Sequence, residues 1–228
     1  MIITNFKGMS EVGGQLVSFV NPYSYYMLRH NLDKYSNISF LSDGFIFCLV
    51  SRLFGLGVRR YSFDLTSIAP EVFASSRGLK IAVVGSTETN VQKFRGIVKS
   101  NYNCEIYLAV SGFLSGNSEF ELIENIVREK CDLVIVGLGT PKQEDFLLRL
   151  KMSGYLGTAF TCGGFITQTA EADGEYYPHL INKYNLRFLY RMIKEPHTIK
   201  RYFCIYPISI IAFFFDLLQG RVSFDNKE

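Results

Sequence analysis

"CDLVIVGLGTPKQEDF", residues 131–146, decides the fold class. Leu133 to Val136 are unbroken apolar positions, Gly137 and Gly139 follow, and Thr140-Pro141-Lys142-Gln143 opens a polar segment suited to a helix start. A short continuous apolar run bounded in this way reads as a strand buried on both faces, the kind a parallel sheet requires. Thr140 and Gln143 match the capping-box spacing, with Pro141 expected at the first helical position, where its missing N–H is not needed. The resulting corner offers free N–H groups and the positive end of a helix dipole, which suit a phosphate or other anion. Glycines at such corners let a ligand approach the backbone closely, and they also simply turn the chain; spacing alone leaves both readings open.

The same alternation extends in both directions. "QLVSFV" (15–20), "NISFLS" (37–42), "KIAVVGS" (80–86), "CEIYLAV" (104–110) and "GTAFTCGG" (157–164) read as strands. Between them, helical patterns fall at 23–35, 43–55, 89–100, 118–130 and 141–154. The expected fold is therefore α/β, a Rossmann-like parallel sheet covered by helices on both faces, with ligands where strand C-termini meet helix N-termini. From about residue 184 the chain becomes helical, basic and aromatic with no obvious strand. A boundary near 180 divides it into an α/β domain, 1–180, and a helical appendage, 181–228, expected to associate with a membrane.

Composition excludes several classes. The formal charge of +3 on 228 residues gives no basic field for nucleic acid. The five cysteines never form CxxC pairs, and His30, His179 and His197 show no ligand spacing, so neither a disulfide framework nor a metal is expected. The scattered cysteines suit a reduced, cytoplasmic setting, and the start lacks the basic and apolar regions of a secretory signal. No uninterrupted apolar run reaches the length of a spanning helix.

Two further corners resemble the first. "VVGSTETN" (83–90) has one glycine where a dinucleotide fingerprint needs three, and "TCGGF" (161–165) has an adjacent pair, Gly163 and Gly164. Asp43, in "LSDG", lies between a strand and a helix, where it is either a plain N-cap or an exposed acid-base group. Asp64 is placed to bond a sugar hydroxyl or to pair with Arg59 or Arg60. No DxD motif occurs, the nearest approach being Glu171-Ala-Asp173, so the charge of a bound diphosphate would fall to arginines and helix ends.

"SDG" (42–44), "RLFG" (52–55), "VGLGTPKQE" (136–144), "CGGF" (162–165) and "LRFLYRMIKEPHTIKRY" (186–202), in this order and spacing, resemble the WecG/TagA/CpsF family of bacterial glycosyltransferases, from about residue 15 to 203. The resemblance implies an inverting, metal-independent and cofactor-free transfer of a sugar. The donor would be a nucleotide-sugar, usually UDP-linked, and the acceptor a polyprenyl-diphosphate-linked saccharide at the cytoplasmic face of the inner membrane. Such steps build teichoic acid linkage units, common antigen, capsule or exopolysaccharide. By position, Asp43 matches the general base, and Gln143 and Asn21 match residues near the donor. Arg59 or Arg60 matches an arginine that meets the diphosphate, while Gly137, Gly139, Gly163 and Gly164 line the matching loops. Arg187, Arg191 and Arg201 match tail arginines that contact the acceptor diphosphate.

The chain departs from the family pattern at Phe19, where threonine is common, at Ile166, where aspartate is usual, and at "YYP" (176–178), which replaces Arg-Ala-Pro. "GSTETN" replaces a glycine-rich turn, and the strand and helix usual before residue 15 are shortened. These departures suggest an altered donor or acceptor. They also leave open a non-catalytic, membrane-associated nucleotide-sugar binder of a polysaccharide assembly complex. The tail "YFCIYPISIIAFFFDLL" (202–218), behind Arg187, Arg191, Lys194, Lys200 and Arg201, reads as an interfacial segment too short to span and interrupted at Pro207. A core helix or a homo-oligomer contact would have the same composition.

Overall fold

The computed structural model describes residues 1–172, 181, 187–194, 196 and 198–225, with the backbone alone at 187, 188 and 191. Eight strands form one sheet in the order β5-β4-β6-β7-β2-β3-β1-β8. They are β1 (Ile2–Thr4), β2 (Leu16–Val20), β3 (Ile38–Ser42), β4 (Ile81–Gly85), β5 (Ile106–Val110), β6 (Leu133–Gly137), β7 (Thr158–Thr161) and β8 (Ser223–Phe224). Every pairing is parallel, and β2, β4 and β7 are buried along their whole length. That double burial explains the continuous apolar runs, and the fold is the expected α/β arrangement.

The helices are α1 (Pro22–Leu28), α2 (Phe45–Leu53), α3 (Ala69–Ser75), α4 (Glu88–Tyr102), α5 (Gly116–Arg128), α6 (Lys142–Met152), α7 (Phe165–Glu171), α8 (Arg187–Lys194) and α9 (Thr198–Leu218). Tyr25, Phe47, Ile126, Phe146 and Phe213 place α1, α2, α5, α6 and α9 on one face of the sheet. Phe73, Phe94 and Phe165 place α3, α4 and α7 on the other. The chain leaves β7 toward one face and the adjacent β2 toward the opposite face, which opens a crevice at their carboxyl ends.

Four elements escape the sequence pattern: β1, α3, α7 and β8. They are two to seven residues long, too short for a period to show. The helix expected over 23–35 is α only to Leu28 and continues as a 3₁₀ segment, Arg29–Tyr35.

Pro207 does not interrupt α9. The helix widens to a π turn over Arg201–Ile205, with the Tyr206 N–H donating to the Arg201 carbonyl. Pro207 then enters within the first turn of the α-helical stretch that follows, where a missing N–H is tolerated. By length and composition α9 could cross a membrane, contrary to the short-run expectation. Lys200, Arg201, Ser209 and Asp216 break up the apolar run and hid it from that criterion. Polar contacts, however, tie α9 to the body of the protein: Ser209 donates to the Pro22 carbonyl, and Asp216 accepts from Tyr25 and pairs with Arg29 and Arg221.

Candidate active site

The site grows from the carboxyl edge of the sheet, where β2 and β3 end side by side with Val20 opposite Ser42. Asn21 follows β2 and caps α1; its Oδ1 accepts from the N–H groups of Tyr23 and Ser24, each at 3.0 Å. Ser24 Oγ accepts in turn from the Asn21 N–H, which completes a capping box. Asp43 follows β3, and its N–H donates to the Val20 carbonyl at 2.8 Å. Gly44, not Asp43, is the N-cap of α2, so the plain capping account of Asp43 fails. Gly44 adopts φ 152°, and a Cβ there would meet Asn21 Cβ at 3.8 Å, so the two corners touch.

Of the two neighbouring arginines, Arg60 is the one that pairs with Asp43. Its Nη2 lies 3.7 Å from Asp43 Oδ1, each side chain 33% exposed. The backbone N–H of Arg59 donates to Asn5 Oδ1 at 2.8 Å. Asp64 is engaged locally, accepting from Ser62 Oγ and from the Thr66 N–H and Oγ1. Arg201 places its guanidinium 4.3 Å from the centre of the Tyr23 ring, two residues after the Asn21 cap. Of the three tail arginines expected to meet an acceptor diphosphate it is the one whose side chain is described; those of Arg187 and Arg191, and the whole of 176–178, lie outside the described residues.

The second half of the site is the β6–α6 corner, where the capping box expected from Thr140 and Gln143 does not form. Pro141 is the N-cap, after a cis Thr140–Pro141 bond, and no side chain caps the helix. Gln143 is 4% exposed, and its side chain turns inward. Its Nε2 donates to Glu144 Oε1 at 3.0 Å and to Thr140 Oγ1 at 3.3 Å, while its Oε1 accepts from the Gly163 N–H at 3.2 Å. It therefore ties the β6 and β7 corners together.

The glycines divide by role. A Cβ on Gly137 would sit 2.8 Å from the Gly163 carbonyl oxygen, so close packing of the backbone, rather than a ligand, demands that residue. Gly139 and Gly163 have φ 73° and 54°, with nothing within 4 Å of an added Cβ. They are the open, left-handed positions. Gly164 caps α7.

Glu144 is the residue that sequence reading passed over, although it ends the quoted PKQE segment. It is fully buried, and its Oε1 accepts from Ser18, Gln143 and Thr140 at 2.8, 3.0 and 3.1 Å. Ser18 also bonds Thr161 at 2.9 Å, so one carboxyl links β2, β7 and the start of α6. Oε2 has no hydrogen-bond partner among the described residues. Burial pushes the carboxyl above its ordinary value, against the pull of the bonds from Gln143 and Ser18. The folded protein thus holds a proton that the unfolded chain releases near pH 4.5, so stability falls as pH rises from there toward the folded pKa. Glu144→Gln is expected to abolish that slope, up to about 1.4 kcal/mol per pH unit. Denaturant melts of both proteins across this range, in which the two slopes should differ, check it.

The departures at Phe19 and Ile166 also find an explanation. Phe19 packs edge-on against Phe63, and Ile166 reaches to within 3.1 Å of where a Gly137 Cβ would stand. Both are buried in the core.

A family model described as "Glycosyl transferase WecG/TagA/CpsF family" matches residues 4–224. The chain is also 38% identical over 203 residues, 87% of its length and 85% of the relative's, to UDP-Gal:alpha-D-GlcNAc-diphosphoundecaprenol beta-1,4-galactosyltransferase of Shigella boydii. A match that runs from β1 to β8 takes in every corner described above, and on that ground the chain is a glycosyltransferase that belongs to the WecG/TagA/CpsF family.

Proposed function

We propose that this enzyme moves a sugar from a UDP-sugar to a saccharide carried on a polyprenyl diphosphate, with inversion and without a metal, at the cytoplasmic face of the membrane. The Asp43–Arg60 pair carries this reading, because it sets a half-exposed carboxylate beside a cation at the mouth of the crevice. Asp43 accepts the proton of the acceptor hydroxyl as its oxygen attacks the anomeric carbon, and the bond to the UDP phosphate oxygen breaks. A single displacement by the acceptor hydroxyl would invert the anomeric centre, and Glu144, sealed in the core, takes no part in it. Arg60, Arg201 and the N–H groups around Gly139 and Gly163 would take up the diphosphate charge.

The relative's name specifies UDP-Gal and a diphosphoundecaprenol acceptor, so UDP-galactose is the first donor to try. The expected result, with purified enzyme and a synthetic polyprenyl-diphosphate saccharide, is transfer from one UDP-sugar in the presence of a chelator. No transfer from any donor overturns the reading. The alternative that Phe19, Ile166 and the changed "GSTETN" turn motivate is a non-catalytic nucleotide-sugar binder, and tight UDP-sugar binding without transfer to any acceptor would favour it.

A further inference from the structure

The outer surface of α2 is unusually apolar for a helix beside an active site. Phe45, Leu49 and Leu53, spaced four apart, form one stripe, with Phe45 65% and Leu53 77% exposed, and Phe54 continues it. The inner side of α2 is fixed to α9: Phe47 stacks on Phe213 with ring centres 4.1 Å apart, and Tyr25 meets both rings edge-on. On the outside Phe54 touches Phe214 at 6.3 Å, joining the stripe to the exposed Ile211, Phe214, Phe215 and Leu218 of α9. Two helices thus present one continuous apolar surface, larger in kind than the scattered apolar residues of a normal exterior.

Charge identifies what covers it. α2 contains no acidic residue, and its single charge is the exposed Arg52. The one acid in α9, Asp216, is 2% exposed and held by Arg29 and Arg221, while Lys200 and Arg201 stand at the start of that helix. Outward-facing charge on both helices is therefore wholly positive, complementary to an anionic bilayer, to which each nearby cation adds about 1 kcal/mol of attraction. The polar anchoring of Ser209 and Asp216 on the body keeps α9 lying along the surface.

We propose that α2 is a membrane-inserting element that shares one bilayer-facing surface with α9. Asp43 and Gly44 immediately precede Phe45, so seating α2 holds the Asp43–Arg60 pair at headgroup depth. This deepens the proposed function and rests on it in one respect: a diphosphate attached to a lipid lies at that depth, so the acceptor reaches the base without leaving the bilayer.

The chain has no tryptophan, which makes a single introduced one an unambiguous depth probe. Leu53→Trp and, as control, Met152→Trp at the far end of α6, 86% exposed, are compared in the full chain with phosphatidylglycerol vesicles, without donor or acceptor. Expected is a blue shift of Leu53→Trp emission and its quenching by brominated acyl chains, with Met152→Trp unaffected. The double variant Phe45→Glu/Leu53→Glu, at exposed positions that leave the core intact, is expected to lower vesicle affinity by about tenfold or more. A protein that ignores the vesicles, or that binds them with Leu53→Trp unquenched, overturns the proposal. So does a blue shift that follows protein concentration without lipid, which would assign the surface to a second copy. A protein that inserts but transfers no sugar leaves this inference standing and sinks the catalytic reading instead.

Discussion

Asp43→Asn is expected to lower the rate of sugar transfer by about 10²–10⁴-fold while leaving the affinity for the donor within about a factor of three. The substitution preserves shape and removes only the capacity to accept a proton. Its structural side effects are small, because the Asp43 backbone bond to Val20 remains and the side chain is a third exposed. Arg60 loses an anion at 3.7 Å and keeps Ser62 Oγ at 3.5 Å. An exposed pair of this kind is worth about 1 kcal/mol or less, far below the barrier change expected from a lost base. Rate and binding therefore separate cleanly, by transfer assays at saturating donor beside calorimetry with the UDP-sugar. Transfer by Asp43→Asn at the wild-type rate would remove Asp43 from the chemistry. Loss of donor affinity in step with rate would make it a binding residue.

The strands were legible because a parallel sheet buries both faces, so each one writes an unbroken apolar run into the sequence. The site was legible as a set of corners, but not in its wiring. Thr140 and Gln143 have capping-box spacing, yet the Gln143 side chain turns to its neighbour Glu144 and to Gly163 at the β7 corner. A local motif competes with tertiary contacts that no window of sequence contains. Arg59 and Arg60 are adjacent and chemically identical, and only the fold of the loop after α2 shows which one pairs with Asp43. Gly137 and Gly139 look equivalent in "GLG", but one is required by the oxygen of Gly163 and the other by its own φ. Glu144 reads as one more first-turn acid of an exposed helix, and nothing local reveals that Ser18 and Thr161 close over it.

The second large effect is expected far from the sugar, at Asp216. Its carboxylate is 2% exposed and carries three partners: the Tyr25 hydroxyl, itself fully buried, and the guanidinium groups of Arg29 and Arg221. Burial alone would raise its pKa, but the Tyr25 bond and the two cations outweigh it and hold the group below the ordinary aspartate value. Asp216→Ala should therefore cost about 3 kcal/mol, since it strands a buried hydroxyl and one largely buried cation; Arg221, 43% exposed, rehydrates and adds little. For a chain of this size that corresponds to roughly 6–12 °C in Tm. Tyr25→Phe removes the hydroxyl and leaves both ion pairs, so it should cost nearer 1 kcal/mol. In wild type the same contacts lend stability above the unfolded aspartate value of 3.8, and that stability is lost as pH falls through the lower folded value. Asp216→Ala should lack this acid limb, which thermal melts down the acid range would show. Equal melting of Asp216→Ala and wild type would mean that α9 is only loosely attached. If the cost is as large as expected, cutting the chain at residue 202 is no clean test of membrane binding, because the cut removes Phe213, Asp216 and β8 together and uncovers Tyr25 and Phe47. Substitutions on the outward stripe of α2 probe the membrane without disturbing that anchor, and the two sets of variants separate what holds the helix on from what the helix is for.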